Sequence, residues 1–188
     1  MKSVYIGGVT RAGKSTLTLK LYHELGFSVY EMDTIVHSFT KVFPQLNIDE
    51  RYPEKLDETF KPFAFQVLKC CDKDRKYGKV KMAINGCQLS PKVLDECPVK
   101  DNMLIIFLGM SDVSPEFLFS KFKQTQVEGD WTFEKKDETL LKICKNIVEE
   151  SKIIKQECER YGFMYFDTCL NREDTLNHVL NYIKENTN

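Results

Sequence analysis

The stretch Gly8 to Ser15, GVTRAGKS, constrains this chain more than any other feature. It fits the spacing GxxxxGK[ST] through Gly8, Gly13, Lys14 and Ser15, and its setting reads as strand, glycine loop and helix in that order. Val4, Tyr5 and Ile6 form a short apolar run upstream, as a buried strand requires. Leu17, Leu19, Leu21 and Leu25 follow downstream among good helix formers. A loop so placed turns successive backbone N–H groups inward at a helix N-terminus, so it can cradle phosphate anions. Lys14 would reach the β- and γ-phosphates of a nucleotide, and Ser15 would offer its hydroxyl to Mg²⁺.

With 188 residues the chain can build one α/β domain with a sizeable core and is short for two, so residues 1–188 read as a single domain. Its 27 basic and 28 acidic side chains nearly cancel, which gives no electrostatic support for a nucleic-acid or anionic-membrane partner. The run Met103 to Met110 is too short to span a bilayer, and no uninterrupted apolar segment precedes the glycine loop, so a cytoplasmic chain is expected. Seven cysteines without a CxxC pair read as reduced thiols, mostly small core residues.

In chain order, Gly26 reads as the C-cap of the first helix, Phe27 to Met32 as a second strand ending at Asp33, and Thr34 to Val42 as a short helix. Glu54 to Arg75 carries Phe60, Phe63, Ala64, Val67, Leu68 and Cys71 at helical spacing, with Pro62 expected to divide it into two pieces. Lys79 to Ile84, closed by Asn85 and Gly86, predicts a third strand; Pro91 to Asp95 predicts a short turn or helix. Asn102 to Leu108 is the most continuously apolar segment and fits a strand covered on both faces. Ser114, Pro115 and Glu116 form a helix start, and that helix should run to Gln126. Val127 to Glu138 is a polar excursion containing Trp131 and Phe133. From Thr139 a long helix places Leu140, Cys144, Ile147, Ser151, Ile154, Cys158 and Tyr161 on one inward face. Phe163 to Asp167 predicts a fifth strand, and a last helix begins at Arg172, capped by Asn171. Strands alternating with helices imply a parallel sheet with right-handed crossovers and helices on both faces. Ligands bind such sheets at the carboxyl ends of the strands, where the glycine loop, Asp33, Asn85 and Gly109 would gather.

No DxxG or NKxD string occurs, so a GTPase switch lacks support. The third strand ends in Asn85 and the fourth in Gly109, where hydrolytic ATPases carry an acid. What remains resembles the small-molecule and nucleotide kinases of the adenylate-kinase-like P-loop group, over nearly the whole chain. The resemblance rests on GVTRAGKST after strand one, YEMD at the end of strand two, a helical insertion over residues 33–78, a polar lid candidate over residues 127–138, and YFDT at strand five. The chain is also similar to the kinases grouped with zeta toxins, chloramphenicol phosphotransferase and 2-phosphoglycerate kinase. The resemblance implies an α/β, three-layer P-loop NTPase fold with a five-stranded parallel sheet in the order 2-3-1-4-5. It further implies ATP and Mg²⁺ as cofactors and a small-molecule or nucleotide acceptor.

By position, the resemblance makes Asp33 the acid that accepts the proton of the acceptor hydroxyl or helps hold Mg²⁺. As bare chemistry, Asp33 could equally cap the helix from Thr34 onward, and Glu31 is the reserve acid. Gly8, Arg11, Ala12, Gly13, Lys14, Ser15 and Thr16 would hold the nucleotide phosphates; Thr168 and Asn171 would neighbour the adenine. Arg51 suits a phosphorylated acceptor, and His37 belongs to the same acceptor region. Asn85 stands where many relatives carry an acid, so Mg²⁺ would rest on Ser15, Asp33 and the phosphates. The lid contains no Arg. One of Lys121, Lys123, Lys135 and Lys136 should then face the nucleotide, with Arg11 either sharing this duty or bracing the loop against the sheet. Trp131 would anchor the lid or stack on the nucleotide. The leading expectation is an ATP- and Mg²⁺-dependent phosphotransferase; the alternatives are a nucleotide-binding regulatory protein with decayed catalysis and a toxin-like nucleotide-sugar kinase.

Overall fold

The computed structural model describes residues 2–46, 48, 60–78 and 80–187. Five strands, β1 (Ser3–Gly8), β2 (Ser28–Glu31), β3 (Met82–Asn85), β4 (Met103–Gly109) and β5 (Met164–Asp167), form one parallel sheet in the order β2-β3-β1-β4-β5. The seven α-helices of the described residues are α1 (Lys14–Leu25), α2 (Met32–Val42), α3 (Lys61–Gly78), α4 (Pro91–Asp95), α5 (Pro115–Thr125), α6 (Asp137–Tyr161) and α7 (Arg172–Asn186). This is the sheet order and layering expected from the resemblance. Every residue of β1 is buried, because β1 lies between β3 and β4 with helices on both faces of the sheet. On those faces α1 packs against α7, and α6 packs against α4, α5, β4 and β5.

Local signals hold where the predicted caps are short-range. Ser114 Oγ accepts from Phe117 N at 3.1 Å with Pro115 at the first helical position, and Gly26 closes α1 in a left-handed conformation. The inward face of α6 is as read through Cys158, with Leu140, Cys144, Ile147, Ser151, Ile154 and Cys158 buried, while Tyr161 at the helix end is only half-buried. Ser151, the polar residue in that seam, accepts from Met110 N at 2.9 Å and donates to Ile147 O at 2.7 Å, so it fastens the chain leaving β4 to the helix.

The boundary between the second strand and the helix after it differs from expectation. β2 ends at Glu31, whose pairing partner is Asn85, the last residue of β3, and α2 starts at once with the fully buried Met32. Asp33 is therefore the second residue of α2 and not the tip of a strand, and Glu31, exposed at the helix N-cap, no longer shares a strand face with it. The described part of α3 begins at Lys61, with Pro62 as its second residue. The helical piece expected before it, from Glu54, lies outside the described residues. Asn171 occupies the N-cap of α7 without a side-chain capping bond.

All seven cysteines are free thiols: Cys70 is exposed, Cys87 half-buried and the other five buried. Burial pushes the thiols of Cys71 and Cys144 up to about 11 and that of Cys158 up to about 12. Among the described residues no helix is long and apolar enough to cross a membrane.

Candidate active site at the glycine loop

The loop leaves the central strand at Gly8, whose φ is +111°; a Cβ there would stand 1.9 Å from the carbonyl oxygen of Leu108 on β4. Only a glycine lets the chain turn this close to its neighbour strand. The turn is completed by Arg11 at φ 61° and Gly13 at φ 101°, and α1 begins with Lys14. Gly13 brings no side-chain cap to the helix, so the first-turn amides of α1 are not taken by a capping oxygen and the helix end can receive an anion. Lys14 is 9% exposed, and its Nζ donates to the carbonyls of Gly8 (2.9 Å) and Val9 (2.7 Å), which holds the ammonium across the loop.

A cavity of about 160 Å³ opens over this loop, lined by Thr10, Arg11, Gly13, Lys14, Ser15 and Thr16 together with Asp33 and Arg172. Ser15 is exposed to it from the first turn of α1. Asp33 enters from the first turn of α2 and is held from the loop after β3: Gln88 Nε2 donates to its Oδ1, and Cys87 Sγ lies 3.7 Å from the same oxygen. Asn85 is not in the cavity. It is buried beneath α1, where its Nδ2 donates to Thr18 Oγ1 at 3.0 Å, and Thr18 donates to the carbonyls of Lys14 (3.2 Å) and Ser15 (3.0 Å). The amide thus braces the helix that carries the loop.

A second cavity, about 120 Å³ and mostly apolar, adjoins the first through Arg11 and Arg172; its walls include Met110, Leu118, Phe122 and Thr168. Thr168 is buried and donates to Gly109 O at 3.3 Å. Asp167 fixes the surrounding backbone: it accepts from the amides of Ser111 (2.6 Å), Asp112 (3.2 Å) and Cys169 (3.0 Å), tying the loops after β4 and β5 together. A larger hollow of about 580 Å³ lies at the opposite ends of β4 and β5, near Lys2, Tyr161 and Phe163, and shares none of the loop residues. Size does not make it the site, because ligands of parallel sheets bind at the carboxyl ends of the strands.

Arg11 braces the loop, as one of the two expected roles required, but against the polar turns before α6 and not against the sheet. Its guanidinium pairs with Asp130, donates to Thr132 Oγ1 at 3.3 Å and lies 4.7 Å from the centre of the Phe122 ring. The Thr132 amide and then Arg11 hold the Asp130 carboxyl below its ordinary range. Among the lysines considered for the lid, Lys121 lines the apolar cavity and donates to Cys169 O, Lys123 pairs with Asp137, and Lys135 and Lys136 are exposed and line neither cavity. Trp131 is half exposed on the same turns. His37 is exposed on α2, Asn171 is exposed beside the apolar cavity without lining it, and Arg51 lies outside the described residues.

No protein-family model matches this sequence, and no curated protein matches it either. Solved structures do match along nearly the full length. A shikimate kinase from Bacteroides thetaiotaomicron superposes with a TM-score of 0.59 at 15% identity, covering 98% of this chain and 97% of that one. The shikimate kinase from Aquifex aeolicus gives 0.55 at 19% identity over 98% of each chain. That from Acinetobacter baumannii, solved in complex with shikimate, gives 0.53 at 15% identity over 99% and 94%. The fold is the P-loop kinase fold.

Within this fold the oxygen donors suit a hard cation: Ser15 and Asp33 line one cavity with Lys14 between loop and helix. Among the described residues no three His, Cys, Asp or Glu side chains converge, so a divalent cation here would share its coordination with phosphate oxygens. Arg172, Asp130 and Gln88 were not singled out by the sequence. Arg172 alone carries a local signal, since a cation in the first turn of a helix opposes the macrodipole and calls for another reason to be there.

Proposed function

We propose that the protein is a phosphotransferase that moves the γ-phosphoryl group of ATP to a hydroxyl of a small-molecule acceptor. One observation carries this reading: the glycine loop, Lys14, Ser15 and Asp33 line a single cavity that continues into an apolar cavity of the kind a nucleoside enters. The loop amides and Lys14 would hold the β- and γ-phosphates, and the apolar cavity beside Thr168 would take the base. Ser15 and Asp33 would hold Mg²⁺ against the phosphates, and the ion when bound would offset their developing charge. The acceptor hydroxyl oxygen would bond to the γ-phosphorus as the bond to the β,γ-bridging oxygen breaks, ADP would leave, and the hydroxyl proton would pass to Asp33. Gln88 would keep that carboxylate oriented.

The test is ADP release with Mg²⁺ and ATP across a panel of hydroxyl-bearing metabolites, shikimate included because of the structural neighbours. Acceptor-dependent turnover that disappears in Lys14→Ala and Asp33→Ala proteins supports the reading. Tight ATP binding with no turnover on any acceptor would count against it and favour a nucleotide-binding regulator. A toxin-like kinase differs in acceptor and not in chemistry, and growth arrest on expression that Lys14→Ala abolishes would single it out.

A further inference from the structure

The first residue of α7, Arg172, reaches back over the glycine loop. Its guanidinium donates to Thr16 Oγ1 at 3.2 Å, and its Nε lies 3.3 Å from the place a Cβ on Gly13 would take, so the side chain lies across the start of α1. It lines both cavities and marks their junction. Arg11, the other residue common to both, is neutralised by Asp130 and covered by Phe122. Lys121 is turned onto Cys169 O, and Lys135 and Lys136 line neither cavity.

Among the described residues Arg172 forms no ion pair: the adjoining Glu173 is paired with Lys20 at 2.7 Å. Its bond to Thr16 is with a neutral hydroxyl, and it stands at the positive end of α7. An exposed guanidinium that makes no ion pair, with only the Coulomb field of Glu173 beside it, is held at a helix N-terminus and over the N-terminus of a second helix, which places it well for an anion.

We propose that Arg172 binds the polyphosphate of a nucleoside di- or triphosphate where the two cavities meet. It supplies, from the C-terminal helix, the arginine that the turns before α6 lack. The inference rests on the phosphotransferase reading of the same site. Arg172 contacts the phosphates nearest the nucleoside, while Lys14 and the loop amides hold those farther out.

The experiment is calorimetric titration of Mg²⁺ and ATP into wild-type, Arg172→Ala and Arg172→Lys proteins at low and high salt, with melting temperatures measured alongside. The expected result is an ATP Kd raised about ten- to hundredfold in Arg172→Ala. That loss should shrink at high salt and be partly recovered in Arg172→Lys, which keeps the charge but not the fork. An Arg172→Ala protein that binds ATP like wild type overturns the proposal and leaves the phosphotransferase reading standing. A loss that is independent of salt, unrecovered by Lys and accompanied by a lower melting temperature also overturns it, since the arginine would then only brace α7 against α1. Failure of the wild-type protein to bind ATP at all would overturn both.

Discussion

The guanidinium of Arg11, in the glycine loop, pairs with the carboxylate of Asp130, in the turns before α6, 119 positions along the chain. This ion pair fastens a polar segment to the loop and offsets a charge that would otherwise face the cavity over the loop. Asp130→Asn should therefore tighten ATP binding modestly, by about three- to tenfold, while lowering the melting temperature. The pH dependence has a definite sign. Because the folded-state carboxyl lies below its ordinary range, its contribution is fully present above the unfolded value of about 4 and is lost as pH falls through the folded value. The stability gap between wild type and Asp130→Asn should stay constant from neutral pH down to about 5 and close below about 4. A gap that persists in strong acid would show that the pair is not its source.

Asn85 sits under α1 with its amide on Thr18, so the site is built around a donor and not a charge. Asn85→Asp should cost about 1–3 kcal/mol at pH 7, since a buried carboxylate would face an oxygen already donating to Lys14 and Ser15 carbonyls. Chemical denaturation should show that cost diminishing as the pH is lowered and the new carboxyl takes up a proton. Equal stability of the two proteins at pH 7 would mean that the Asn85–Thr18 bond contributes little.

Gly8→Ala combines a left-handed φ with a backbone clash against Leu108 O. The expected loss is about 3 kcal/mol, because the clash is with a strand partner that cannot rotate away. Folded Gly8→Ala protein with wild-type stability would mean that the loop can move off β4.

Ser151→Ala leaves the Met110 amide without its acceptor in a buried seam. A loss of about 1–3 kcal/mol in urea unfolding is expected, together with faster hydrogen exchange at Met110. Ser151→Thr, which keeps the acceptor, should recover part of the amide's protection.

The strand–loop–helix unit, the caps at Ser114 and Gly26, the inward face of α6 and the apolar β4 were all legible, because each depends on residues within a turn or two of one another. Asp33 was legible as a residue of interest but not as a helical one. Its place in α2 follows from Met32, which is buried where the β2–β3 pairing runs out. Of the lysines considered, Lys121 lines the apolar cavity while Lys123, Lys135 and Lys136 line neither, because charge along a segment does not say which way the segment faces; the two cations common to both cavities are Arg11 and Arg172 of α7.

By itself the sequence determined that a strand, a glycine loop and a helix open a parallel α/β sheet, since glycine spacing and hydrophobic period act over short distances. Only the tertiary structure decided which side chains meet at that loop. Asp130 neutralises Arg11, Asn85 turns under α1, and Arg172 crosses from the last helix to Thr16. These meetings join segments tens of residues apart, and their geometry is set by how the sheet order brings helices together, which no local pattern encodes.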